Sequence, residues 1–65
     1  MLNNENIGTM DINILLSIVN MKLRDNYPSI EALCYDMDIS EGTLINRLNE
    51  DKYIYQKSNN QFIKK

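Results

Sequence analysis

The sequence predicts a mainly α-helical fold in which a three-helix core is followed by a short C-terminal β-hairpin. Three observations lead to this fold class. Apolar residues recur at helical spacing in three consecutive stretches, a Ser or Asp stands before each stretch, and the last stretch alternates around a polar turn. A chain of 65 residues forms one domain at most, with a small core. We therefore expect a flexible lead-in over residues 1–9 and a single domain over residues 10–65.

The first predicted helix begins after Asp11, whose carboxylate can accept hydrogen bonds from the free amides of the first turn. Its main apolar stripe follows i, i+3, i+4, i+7 and i+11 spacing. That stripe comprises Ile12, Leu15, Leu16, Val19 and Leu23. The helix should end near Asn26, because Tyr27 precedes Pro28 and helical geometry is disfavoured before proline.

A second apolar row on the same helix is formed by Ile14, Ile18 and Met21. The two rows together span well over half of the helix circumference, whereas a surface helix needs an apolar arc of roughly 100° or somewhat more. Two interpretations stay open. Either the hairpin packs over this row, or the row is the interface of a homodimer, because a small core gains from association.

Ser29 and Ser40 are the predicted N-caps of the second and third helices. The second helix is expected to end at Asp38 and the third near Glu50. The apolar face of the second helix comprises Ile30, Leu33, Cys34 and Met37, and that of the third comprises Leu44, Ile45 and Leu48.

The last stretch predicts a two-stranded antiparallel hairpin that pairs residues 53–56 with residues 61–64. Between these strands, Lys57-Ser58-Asn59-Asn60 has the composition of a turn. An isolated hairpin is not stable in water, so this one must pack on the helices. We expect the contact to be made by Ile54 and by one side of the Phe62–Ile63 pair.

The segment Ser29–Glu50 is similar to a helix-turn-helix motif. That motif requires a small residue in its first helix, a turn residue that often has positive φ, an aliphatic residue and a capping Ser, and here these are Cys34, Asp38, Ile39 and Ser40. Asp tolerates the turn geometry at some cost where Gly is usual. We interpret Cys34 as a small buried hydrophobic residue rather than a reactive thiol. With the hairpin as the wing, the order of elements resembles a winged helix-turn-helix domain.

Two stretches, VNMKLRD at residues 19–25 and NQF at residues 60–62, resemble a family of short bacterial proteins of unknown function. The resemblance covers roughly residues 10–64. It implies a bacterial protein and supplies no activity, substrate or site. The N-terminal residues lack a basic segment and a long apolar run, so we expect no signal peptide, no membrane contact and a cytoplasmic location.

Catalysis is not expected, because the sequence has no His, one Cys, no Gly-rich phosphate loop and no nucleophile–base pair. For the same reasons we expect no metal, no cofactor and no small-molecule substrate.

Double-stranded DNA is the first predicted partner, because the second helix of a helix-turn-helix motif enters the major groove. The residues predicted to face nucleic acid are Gly42, Asn46, Arg47, Asn49, Lys52 and Lys57. Asn46 would pair with adenine and Arg47 with guanine or phosphate. The net charge of −2, together with Glu41 and Glu50 near the same helix, weighs against strong binding by one chain.

The alternative prediction is a protein-interaction adaptor or inhibitor that uses the same scaffold without binding DNA. Ile14, Ile18 and Met21 would then form the interface, which a homodimer can also use. We take a transcription-regulatory, nucleic-acid-binding role as the first hypothesis, because the turn, the caps and the wing match the motif as a set.

Overall fold

The structure, a computed structural model, describes residues 2–65 and contains four helices followed by a two-stranded antiparallel sheet over that range. The elements are α1 (Asn4–Ile7), α2 (Ile12–Asp25), α3 (Ile30–Met37), α4 (Glu41–Asn49), β1 (Tyr53–Gln56) and β2 (Gln61–Lys64). The predicted fold class, a mainly helical chain with a C-terminal hairpin, is confirmed.

Polar side chains cap the three longer helices at the predicted positions. The side-chain oxygens of Asp11, Ser29 and Ser40 accept hydrogen bonds from first-turn amides of α2, α3 and α4, at distances of 3.1–3.3 Å. Asp38 ends α3 with φ of 56°, the left-handed conformation expected for the turn residue. These short-range interactions explain why the bounds of all three helices follow from the sequence.

The core lies between the helices and the inner side of the hairpin. Its buried hydrophobic side chains come from every helix, from β2, from Leu2 before α1 and from Ile39 in the turn between α3 and α4. They are Leu2, Ile7, Leu15, Val19, Leu23, Ile30, Leu33, Cys34, Ile39, Leu44, Leu48 and Phe62. The predicted apolar stripes of α2, α3 and α4 therefore supply most of the core.

The hairpin packs on the helices through the side that carries Tyr55 and Phe62. These two residues are cross-strand partners, and their ring centroids lie 5.4 Å apart. Ile54 and Ile63 are partners on the opposite side, and each is 37% exposed. The expectation that Ile54 faces the helices was wrong, because alternation along the strand puts Ile54 on the outer side once Tyr55 packs inward.

The segment before α2 differs from the flexible lead-in that we expected. Asn3 and Asn6 form a reciprocal capping box, in which each side-chain oxygen accepts a hydrogen bond from the other residue's backbone amide, at 2.8 and 2.9 Å. Leu2 and Ile7 are 3% and 0% exposed, and α1 contacts α4. The physical reason is burial: two large apolar side chains are removed from water when this short turn folds against α4.

Candidate binding surfaces

The outward side of α4 carries three of the residues predicted to face DNA. Gly42, Asn46 and Asn49 are exposed, and their i, i+4 and i, i+3 spacing places them on one side of the helix. Glu41 lies at the start of α4 and exposed Glu50 follows its last residue. The centre of this surface is therefore uncharged, and its ends are acidic.

Arg47 does not extend from this surface as the DNA-contact prediction requires. Its Nε donates to the carbonyl oxygen of Ile7 at 3.0 Å, and its Nη2 donates to that of Met10 at 3.1 Å. Its Nη1 donates to the carboxylate of Glu50 at 3.2 Å, and the side chain is 21% exposed. Three of the five N–H donors of the guanidinium are thus used within the chain. The guanidinium attaches α1 and the residues after it to α4.

Lys52 and Lys57 are exposed, but the structure does not bring them together. Lys52 precedes β1 with φ of 67°, and Lys57 follows β1 in the turn of the hairpin. Five residues at about 3.3 Å per residue of extended chain separate their Cα atoms by roughly 17 Å. With Arg47 held by Ile7 and Met10, the predicted cationic residues do not form one patch.

The second apolar row of α2 lies away from the hairpin. We call Ile14, Ile18 and Met21 the α2 row. Ile14 and Met21 are 55% and 47% exposed, and Ile18 is half-buried. The hairpin contacts α2 on another side, through Asn20. The interpretation in which the hairpin covers this row is therefore wrong.

A cavity of about 350 Å³ opens beside Ile18. It is bordered by Leu2, Met10, Ile18, Lys22 and Met37, which come from the start of the described chain, from α2 and from the end of α3. Four of these side chains are apolar, and Lys22 is the charged one. The Lys22 side chain is half-buried, and within residues 2–65 its ammonium group has neither an ion pair nor a hydrogen bond.

The hairpin is attached to α2 by side-chain amides that the sequence analysis did not single out. The Asn20 side chain donates to the carbonyl of Phe62 at 3.0 Å and accepts from its amide at 2.8 Å. Gln61 donates to the backbone carbonyl of Asn20 at 3.0 Å. Asn60, with φ of 57°, donates to two backbone carbonyls near the C-terminal end of α2. The stretches VNMKLRD and NQF, which carry the family resemblance, are thus hydrogen-bonded to each other, and the amide side chains of Asn20, Asn60 and Gln61 were the available signal.

Cys34 is buried in the core at 4% exposure, as interpreted from the sequence. Burial, with smaller contributions from the carboxylates of Glu41 and Glu31, raises the pKa of its thiol to about 11. A thiol with a raised pKa is a poor nucleophile at neutral pH, since the thiolate is the reactive form.

Across residues 2–65, no group of three or more His, Cys, Asp or Glu side chains is placed to hold a metal ion. Over the same range, none of the helices combines the length and apolar character needed to cross a bilayer.

Comparison with known proteins gives one match. The family model described as Domain of unknown function (DUF4250) matches residues 9–62. No curated protein and no solved structure matches the chain. The matched residues include α2, α3, α4 and the Asn20–Phe62 contact, whereas α1 lies before them.

Proposed function

The chain belongs to the family described as Domain of unknown function (DUF4250), and from that premise we propose that it is a non-catalytic binding module. In this proposal the domain is of the winged helix-turn-helix type, with α3 and α4 as the two helices and the hairpin as the wing. Its partner is a second copy of the same chain, bound through the α2 row. A free, buried thiol at Cys34 is in keeping with the reducing cytoplasm of a bacterium as its compartment.

The observation that carries the proposal is the exposure of Ile14 and Met21 on one helix. Single exposed apolar side chains are ordinary on protein surfaces. These two, however, flank half-buried Ile18 and form a strip about 10 Å long, at 1.5 Å of rise per residue. Covering this strip with another apolar strip removes both from water, which favours association by roughly 25 cal/mol per Å².

The α2 row is suited to pairing with an identical row in the antiparallel direction. A two-fold axis near Ile18 would set Ile14 of one copy against the partner's Met21, so that each copy uses the same surface. Asp11 lies at the N-terminal end of α2 and Lys22 near its C-terminal end. Antiparallel pairing therefore brings opposite charges and opposite ends of the helix dipoles near each other, which supports this orientation.

DNA is the second candidate partner, and the observation that favours it is the pair of exposed amides at Asn46 and Asn49 with exposed Lys52 shortly after them. Amide side chains can pair with adenine in the major groove. Most non-specific affinity for DNA comes from cations at phosphates, and Arg47 is used within the chain. One copy therefore offers few free cations, and a dimer would offer them twice.

Sedimentation equilibrium of the full chain, from micromolar to submillimolar concentration, tests the dimer. We expect the wild type to dimerise and Met21→Glu to be monomeric, because a carboxylate in an apolar interface has no partner. Ile54→Glu is the matched control, since it places the same charge on an exposed apolar position of the hairpin. A monomeric wild type at the highest concentration, or a Met21→Glu variant that dimerises as well as Ile54→Glu, contradicts the proposal.

Fluorescence anisotropy with a mixed-sequence duplex tests the second candidate, at salt concentrations of about 50 and 200 mM. Binding that weakens steeply with salt, and that weakens further in a Lys52→Gln variant, would support contact with phosphates. Absence of binding at the lower salt concentration, by protein shown to be dimeric, would exclude DNA as the partner.

A further inference from the structure

The cavity beside Lys22 has the size of a small-ligand site. Its volume of about 350 Å³ lies near the lower end of the range of about 300–1,000 Å³ found for ligand pockets. At about 30 Å³ per non-hydrogen atom, the volume of one water molecule in the liquid, it would hold roughly ten such atoms. The cavity therefore fits a short chain molecule rather than a nucleotide or a large aromatic cofactor.

The walls of the cavity favour a ligand with an apolar body. Leu2 and Ile18 supply aliphatic surface, and Met10 and Met37 supply flexible thioether chains. Methionine has three rotatable bonds before its terminal methyl group and adapts to irregular apolar partners. Met10, Ile18 and Met37 are half-buried, and all three border the cavity.

Lys22 adds a charge requirement to this apolar cavity. Its side chain is half-buried, and its ammonium has no carboxylate partner within residues 2–65. Asp25, one helical turn further along α2, is instead held by Arg24 through hydrogen bonds of 2.9 and 3.2 Å. A cation without a partner at the edge of an apolar cavity forms a charge-assisted hydrogen bond when an anion binds beside it.

We propose that this cavity binds a small amphiphilic carboxylate, that is, one carboxylate on a short unbranched hydrocarbon chain. The carboxylate pairs with the ammonium of Lys22, and the hydrocarbon chain lies between Met10, Ile18 and Met37. The sequence alone predicted no small-molecule partner, because the cavity is assembled from three separate segments. The inference does not rest on the proposed dimer, and a dimer paired through Ile18 would compete with the ligand, because Ile18 and Lys22 belong to both surfaces.

The test uses octanoate as the probe and methyl NMR of the full chain as the readout. Octan-1-ol and octylammonium are matched controls that keep the hydrocarbon chain and change the charge. We expect saturable shifts of the Met10 and Met37 methyl signals with octanoate. The Met21 methyl, which lies on the α2 row but does not border the cavity, reports any accompanying change at the proposed dimer interface.

Two variants test whether the ammonium of Lys22 pairs with the carboxylate of the ligand. Lys22→Met keeps the length of the side chain and removes its ammonium, and we expect it to weaken octanoate binding about fivefold or more. Octan-1-ol binding should change little in that variant. Lys57→Met, in the exposed turn of the hairpin, should leave octanoate affinity unchanged. Equal affinity for octanoate and octylammonium, unaltered octanoate binding by Lys22→Met, or no saturable shift at Met10 and Met37 would each overturn the proposal.

Discussion

Replacing Arg47 with Ala tests whether this side chain attaches α1 to the rest of the domain. The change removes the donors to the carbonyls of Ile7 and Met10, at 3.0 and 3.1 Å, and the contact with Glu50. The two carbonyls are partly buried, so water replaces the lost donors incompletely. We therefore expect both a lower free energy of unfolding and a looser α1.

The size of the effect follows from the two carbonyl contacts. A hydrogen bond to a charged group contributes about 1.5–3 kcal/mol, and an exposed ion pair such as that with Glu50 contributes about 0–1 kcal/mol. Because the side chain is 21% exposed, we take the lower part of the range and expect a loss of about 3 kcal/mol. A domain of 65 residues has a total stability of roughly 3–10 kcal/mol, so the loss is a large fraction of it. At about 4–8 °C per kcal/mol, Tm should fall by about 12–24 °C.

Urea denaturation and thermal unfolding measure the global effect, and amide exchange at Ile7 and Met10 measures the local one. Arg24→Ala is the matched control, because Arg24 pairs with its exposed neighbour Asp25 and contacts no other element by hydrogen bond. Arg47→Lys should be intermediate, because one ammonium cannot reproduce the fork of the guanidinium.

Two results together would contradict a role of Arg47 in attaching α1 to the rest of the domain. If Arg47→Ala unfolds at the same temperature as Arg24→Ala, and if amide exchange at Ile7 and Met10 is unchanged, then this guanidinium does not hold α1. A loss of protection at Ile7 and Met10 without a change in Tm would instead mean that α1 detaches locally while the other elements stay folded.

Two further predictions concern the hairpin contact and the buried thiol. Asn20→Leu keeps the approximate size of the side chain but leaves the backbone amide and carbonyl of Phe62 without their side-chain partner. Urea denaturation should therefore show a free energy of unfolding that is lower by about 2 kcal/mol. Asn13→Leu, on the exposed side of α2, is the control and should not show this loss. For Cys34, whose pKa rises from 9.0 to about 11 on folding, the unfolded thiol ionises first, so the free energy of unfolding should fall as pH rises through this window. Cys34→Ala should lack that part of the pH dependence, and identical slopes for the two proteins would contradict the assignment.

The elements that the sequence predicted are those with local signals. Asp11, Ser29 and Ser40 are N-cap residues and so indicate where α2, α3 and α4 begin. Pro28 indicates where α2 ends. The strand bounds also agree with the prediction, because a polar turn separates two alternating segments. In each case the interactions that fix the boundary join residues a few positions apart.

α1 was missed because it is a four-residue helix without an apolar period. Its capping box uses Asn3 and Asn6 in place of the more familiar Ser or Thr with Glu. Its stability depends on burial of Leu2 and Ile7 in the core and on contact of α1 with α4, a helix that begins more than thirty residues later. No sequence pattern within the first ten residues predicts that contact.

The role predicted for each site residue depends on where its side chain points. Contacts with residues that are distant in the sequence determine that direction. Arg47 turns toward carbonyls that lie 40 and 37 positions earlier in the chain. In the hairpin, Ile54 is the more hydrophobic residue, yet Tyr55 packs inward because its hydroxyl donates to Asn60 at 2.5 Å and its ring meets Phe62. Helical and strand periodicity predict which side of an element a residue lies on. They do not predict the contacts that Arg47 and Tyr55 make.

The attachments of α1 and β2 also determine how the chain can fold. Arg47 joins Ile7 across 40 residues, and Asn20 joins Phe62 across 42 residues. Each contact closes a long loop, whose entropic cost must be met before the contact contributes. Because these two loops overlap along the chain, each contact orders residues that lie within the loop closed by the other. The domain is therefore built for all-or-none folding, and it should form more slowly than a helical bundle of equal length in which only sequence neighbours touch.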